Sequence, residues 1–273
     1  MSTQTAGESF ERWNTKQAQF LESRARYIDY EGAIRSGKTW ALIRKVLTLC
    51  LDHPGIQGLL ARYTDDALQA QLKPEFYRRV PRGLLGPWLP DEEVQTFVNG
   101  SRLYMRALKS SEVSSQYAKF LGLTLGFVAV DQAEEVPEDY WEVLKARPSQ
   151  PGTPQQRLLA ANPPGEDHWL AREFPEPGAT ETHEFIRATL YDNAANLDPE
   201  YIRDLERQYP IGHPLYKRHI LGERGLAVLG DPGRDLHGRG QAPAGPAAGP
   251  DRDPLHRGRL APSHPARRRG VLP

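Results

Sequence analysis

Gly32-Ala33-Ile34-Arg35-Ser36-Gly37-Lys38-Thr39 matches the pattern G-x-x-x-x-G-K-[ST] at every fixed position. Each fixed residue has a physical task. The glycines let the backbone turn tightly enough for its N–H groups to converge on phosphate oxygens, helped by the positive end of the helix that follows. Lys38 is expected to reach the β- and γ-phosphates, and the Thr39 hydroxyl to ligate Mg²⁺. The flanks suit a strand-loop-helix unit. Arg26 to Tyr30 reads as a strand, and Thr39 to Leu51 carries apolar residues at helical spacing (Leu42, Ile43, Val46, Leu47, Cys50) before Pro54.

Working outward, such a site needs a carboxylate at the end of a neighbouring strand to hold the metal's water shell. Phe127-Val128-Ala129-Val130-Asp131 supplies it within the apolar run Leu125 to Val130. Beyond lie Gln132, Glu134 and Glu135. One glutamate is expected to orient and deprotonate the attacking water, against the plainer reading that both acids favour the first turn of a helix. Leu59 to Tyr63 and Gln156 to Ala161 read as further strands, and Leu197 to Tyr209 as a surface helix with Pro199 in its first turn. Val94 to Val98 and Arg102 to Ala107 flank Asn99-Gly100, a hairpin signal. This alternation predicts an α/β fold with a mainly parallel sheet flanked by helices and a β-hairpin insertion.

Composition narrows the class. A 38% hydrophobic fraction over 273 residues is enough for a core, and no stretch approaches the roughly 20 apolar residues of a spanning helix. Cys50 is the single cysteine, so an internal disulfide or a multi-cysteine metal site is excluded. With 35 basic and 35 acidic residues, any nucleic-acid contact must come from local patches. After Gly230 the character changes. Residues 231–273 hold 8 Pro, 7 Gly, 8 Arg and 6 Ala, with no Lys, Glu or aromatic. Such a segment buries too little apolar surface to offset its ordering entropy and is expected to be a disordered tail. Its bias is also that of GC-rich DNA read out of frame. Arg267, Arg268 and Arg269 fit a solvated run better than a phosphate-gripping arm.

With both motifs in hand, the sequence resembles the large terminase subunit of tailed bacteriophages. The match extends to Asn14-Thr15-Lys16-Gln17-Ala18-Gln19-Phe20-Leu21, which looks like the family's adenine-contacting segment with Gln17 at the base-reading position. Arg35 sits where the family's loop commonly has an arginine. Ala61-Arg62-Tyr63-Thr64 and Lys119-Phe120-Leu121-Gly122-Leu123 are similar to family segments. Ala160-Ala161-Asn162-Pro163-Pro164-Gly165 with His168-Trp169-Leu170 resembles the coupling segment that senses the γ-phosphate. Tyr191-Asp192-Asn193 through Asp198-Pro199-Glu200-Tyr201 to Leu221-Gly222-Glu223 resembles the end of the motor region.

The resemblance implies a P-loop NTPase of the additional-strand type over residues 1–228, with residues 229–273 replacing a nuclease domain. It implies ATP and Mg²⁺ as cofactors, and double-stranded DNA, a small terminase subunit and the portal protein of the procapsid as partners. It further implies a homo-oligomeric ring in the host bacterial cytoplasm, with no membrane. Nucleotide contacts are expected from Gln17, from Gly32 through Thr39 and from Asn162, metal contacts from Thr39 and Asp131, and catalysis from Lys38, Arg35 and Glu134 or Glu135. Two features depart from the family pattern. Gln132 stands where many relatives place a glutamate, and the acids Asp231, Asp235, Asp251 and Asp253 follow no apolar strand that would fix a nuclease metal pair. The expected product is therefore an ATPase truncated by a frameshift, without nuclease activity. A helicase-like ATPase and a nucleotide-binding but inactive remnant are the competing readings.

Overall fold

The phosphate-loop pattern lies between strand β1 (Tyr27–Gly32) and helix α2 (Lys38–Asp52), as the spacing requires. The computed structural model describes residues 12–109, 117–176 and 180–225, all within one unit, Met1–Leu236. Seven more strands join β1. They are β2 (Gln57–Arg62), β3 (Leu85–Leu89), β4 (Val94–Phe97), β5 (Arg102–Ala107), β6 (Phe127–Asp131), β7 (Gln156–Ala161) and β8 (His183–Ala188). They form one sheet in the order β3-β4-β5-β2-β6-β7-β1-β8. Every pairing from β5 to β8 is parallel, and β3-β4 and β4-β5 are antiparallel. Strand β7 separates the loop strand β1 from the acid strand β6, which is the additional-strand arrangement. One consequence is that the end of β7, at Asn162, faces the space between the loop and Asp131.

Alternation along the strands divides the core in two. Ile28, Tyr30, Leu60, Phe127, Ala129, Leu158 and Ala160 pack with α2, with Phe20 of α1 (Thr15–Glu22) and with Phe76 further along the chain. Leu59, Ala61, Val128, Val130, Leu159 and Ala161 point the other way. That face is covered by Phe120 of a short helix, by Tyr140, Trp141 and Leu144 of α6 (Glu138–Lys145) and by Trp169 and Leu170. The remaining helices are α3 (Asp65–Ala67), α4 (Lys73–Arg79), α5 (Ala118–Leu121), α7 (Trp169–Glu173) and α8 (Pro199–Gln208), whose N-cap Asp198 accepts the Glu200 N–H at 2.8 Å.

Several boundaries differ from the sequence expectation. Strand β1 extends past Tyr30 through buried Glu31 to Gly32, and β6 begins at Phe127, because Leu125 only bridges Pro148. The hairpin lies at the sheet edge, where β5 pairs in parallel with β2 and antiparallel with β4. Its turn spans 98–101, with Gly100 N–H donating to Phe97 O at 3.0 Å. Strands β3 and β8 were not anticipated. β3 is interrupted by Gly86 and Pro87, and the edge strand β8 carries Glu184 and Arg187, so neither shows an apolar run. The boundary at 228/229 and the tail lie outside the described residues. Among the described residues no helix is long and apolar enough to cross a membrane.

Candidate nucleotide site

The loop's conformation follows from two positive-φ residues. Gly37, at φ +87°, caps α2 in a left-handed backbone conformation that favours glycine, and a Cβ there would lie 2.3 Å from the Gln17 amide nitrogen, which would have to swing aside. Arg35 takes φ +59° without being glycine. Its carbonyl accepts the Asn193 side-chain amide at 2.7 Å, which holds that turn in place. The Arg35 side chain is exposed.

Lys38 folds over the loop, its ammonium donating to Gly32 O at 2.8 Å and Ala33 O at 2.9 Å. Desolvation lowers it to about 8, while Glu134, Asp131 and Glu31 favour its charge. Thr39, one residue on, donates its hydroxyl to Asp131 Oδ1 at 2.8 Å. Asp131 Oδ2 lies 3.5 Å from the buried Arg62 Nε. Burial raises the Asp131 carboxyl, and Arg62, Thr39 and Lys38 oppose that rise. A hydroxyl and a carboxylate from two elements are hard oxygen donors, and Mg²⁺ in phosphate sites completes its shell with water and phosphate oxygens. The donor set therefore fits Mg²⁺, although no cluster of three or more His, Cys, Asp or Glu that could hold a metal occurs among the described residues.

The two candidate bases are set apart. Residues Ala133–Glu135 form a single 3₁₀ turn after the left-handed Gln132, and both acids lie in it. Glu134 is buried and accepts two bonds from Asn162, from its backbone N–H at 3.0 Å and its side-chain amide at 2.5 Å. Burial pushes it up to about 7, with backbone N–H groups and Lys38 pulling it back. Glu135 is partly exposed and also raised by burial, with Arg62 opposing. Glu134 is the acid joined to the loop's surroundings and to the end of β7.

A cleft of about 640 Å³ opens beside the loop and is lined by Gln17, Arg35, Gly37, Lys38, Thr39, Asp131 and Asn162 of the expected set, whereas neither Glu134 nor Glu135 lines it. Ile34 also lines it, and Gly32, Ala33 and Ser36 are buried. Gln17 completes a capping box with Asn14, and its amide donates to Gly37 O at 3.1 Å, so it buttresses the loop from the N-terminal side. Sequence reasoning did not single out Arg62, Asn193 or Trp40 as site residues. Trp40 stacks on Trp13 at 4.8 Å between ring centroids, with the Arg79 guanidinium 4.4 Å from its own centroid. Its place directly after Thr39 was the available signal.

The model for terminase large subunit, T4likevirus-type, N-terminal matches residues 29–234. The chain belongs to the large terminase family. Among solved structures, the large terminase of a thermophilic bacteriophage matches with a TM-score of 0.64 at 23% identity, over 77% of this chain and 53% of that one. The same protein in complex with ADP gives a TM-score of 0.62 at 24% identity, again over 77% and 53%. The ATPase domain of the Thermus phage P74-26 large terminase matches with a TM-score of 0.58 at 17% identity, over 78% of this chain and 94% of that domain. These likenesses establish the fold. The chain spans about half the length of the first of these terminases. No curated protein matches this chain.

Proposed function

We propose that the chain binds Mg²⁺-ATP in this cleft, hydrolyses it, and uses the cycle to drive double-stranded DNA into a procapsid. The observation that carries the reading is the convergence at one loop of Lys38, of the Thr39–Asp131 pair and of the buried Glu134–Asn162 pair. In this reading Lys38 holds the β- and γ-phosphates and stabilises charge that develops in the transition state. Thr39 and Asp131 would hold Mg²⁺, which withdraws charge from the phosphate oxygens. Glu134, raised toward neutrality by its burial, accepts the proton of the attacking water. Asn162 orients that carboxylate and reports its state to the segment Pro163–Gly165. Arg35, exposed at the cleft, reaches the γ-phosphate, and Gln17 meets the adenine from the α1 side.

The family supports the partners: duplex DNA, a small terminase subunit and the portal, on which a ring of these subunits docks in the host cytoplasm. Family membership sets aside the helicase alternative. The truncated-remnant alternative is decided by assay. ATP turnover by the purified chain should rise at least about threefold when procapsid portal and linear duplex DNA are added together. Turnover indifferent to portal and DNA would argue against the motor role.

A further inference from the structure

Beneath the phosphate loop lie three charged groups that the hydrolytic reading does not use. Asp29 and Glu31 stand two residues apart on β1 and so share one face of the sheet, and both are fully buried. Arg224 enters from the far end of the described chain with its side chain 8% exposed. Its guanidinium donates to both Glu31 oxygens, at 2.6 and 2.9 Å, and to Phe174 O at 2.6 Å, and it lies 4.4 Å from the centroid of Phe185. Asp29 is 3.6 Å from the same guanidinium. Neither Asp29 oxygen has a hydrogen-bond partner as a carboxylate, yet buried carboxyls are costly without one. Burial, and then Glu31 beside it, raise Asp29 well above the usual carboxylate range. A proton on Asp29 that donates to Glu31 satisfies both acids and leaves one negative charge for Arg224. The other charged groups facing the cluster are Glu176, 3.9 Å from Arg224, and, at longer range, Glu134 and Lys38.

The segment that Arg224 anchors touches the loop directly. His219 O accepts the Ile34 N–H at 3.3 Å, and Ile220 packs with Ala33 and Leu190. Gly222, at φ +65°, passes so close that a Cβ would lie 2.2 Å from Ala188 O and 2.9 Å from the Ala33 nitrogen. On its other side Gly225 bridges Gly165, three residues beyond Asn162. The chain from 219 to 225 is thus wedged between the first half of the phosphate loop and the segment that follows the Glu134 partner. We propose that Arg224 is a positioning residue: by pairing with the buried Asp29–Glu31 carboxyls it clamps residues 219–225 against Ala33 and Ile34, and so fixes the loop for nucleotide and ties its state to the chain beyond Gly222.

The proposal rests on the cleft being a nucleotide site for its consequence, but the clamp itself is testable without nucleotide. Removing Arg224 alone would strand a buried anion and risk unfolding, so the informative variant is Glu31→Gln with Arg224→Gln, which leaves the cluster neutral and able to hydrogen-bond. Hydrogen exchange without nucleotide should accelerate at least about tenfold in peptides covering residues 32–36 and 219–225, while β7 is unchanged. The KM for ATP should rise at least about tenfold with kcat within about threefold, since Thr39, Asp131 and Glu134 are untouched. Arg187→Gln, which breaks only the partly exposed pair with Glu176, should change neither readout. Loop exchange equal to the parent in the double variant would overturn the clamp. So would an unchanged KM in the double variant when the parent hydrolyses ATP. A parent that binds no nucleotide would instead sink the ATPase reading, and the exchange measurement would still decide the clamp.

Discussion

Lys38→Ala should lower ATP turnover at least about a hundredfold, the equivalent of roughly 2.7 kcal/mol of barrier. The ammonium is the loop's buried cation and lies in the field of Glu134, Asp131 and Glu31. Without it the buried cation that offsets these acids beside the phosphates is lost, so binding and transition-state stabilisation fall together. The ammonium's present partners are the carbonyls of Gly32 and Ala33, which a nucleotide phosphate would outcompete as a charged acceptor. A neutral alanine at the start of α2 costs little helix stability, so circular dichroism should match the parent. Turnover within about threefold of the parent, with the fold intact, would mean that the loop does not hold the reacting phosphates.

Glu134→Gln and Glu135→Gln should separate sharply. Glu134 is buried, held twice by Asn162 and raised to about 7, which suits a base that must take a proton near neutral pH. Glu135 is partly exposed, with Arg62 favouring its charged form. Glu134→Gln should keep nucleotide affinity within about threefold and lose at least about a hundredfold in kcat, as removal of a general base does. A base works only when deprotonated, so the parent's rate should climb with pH through an ascending limb near 7. That limb should vanish in Glu134→Gln and persist in Glu135→Gln. Near-normal rates in both variants would shift attention to Gln132 as a residue that positions water.

The parts of this site legible in the sequence were those fixed by backbone geometry and apolar runs. Gly37 and Lys38 announced the loop because the left-handed conformation at Gly37 favours glycine. Asp131 was legible because four buried apolar residues precede it. Choosing between Glu134 and Glu135 was not possible from the sequence, since the choice depends on which acid the 3₁₀ turn carries toward Asn162, 28 residues away. Asp29, Glu31 and Arg224 were equally hidden. Acids in a strand read as solvent-facing until a partner almost 200 residues on is placed against them. Strand β8 escaped for a related reason, because an edge strand that carries Glu184 and Arg187 among six residues shows no apolar run.

The central claim is that this cleft cleaves the terminal phosphate of ATP with Mg²⁺ held by Thr39 and Asp131. Single-turnover release of phosphate, with purified chain in excess over ATP, tests it without requiring a ring or a portal. The expected result is a first-order release in Mg²⁺ that is lost in EDTA and in Lys38→Ala. No release above the uncatalysed rate from a folded chain, or release that is indifferent to both EDTA and Lys38→Ala, would contradict it.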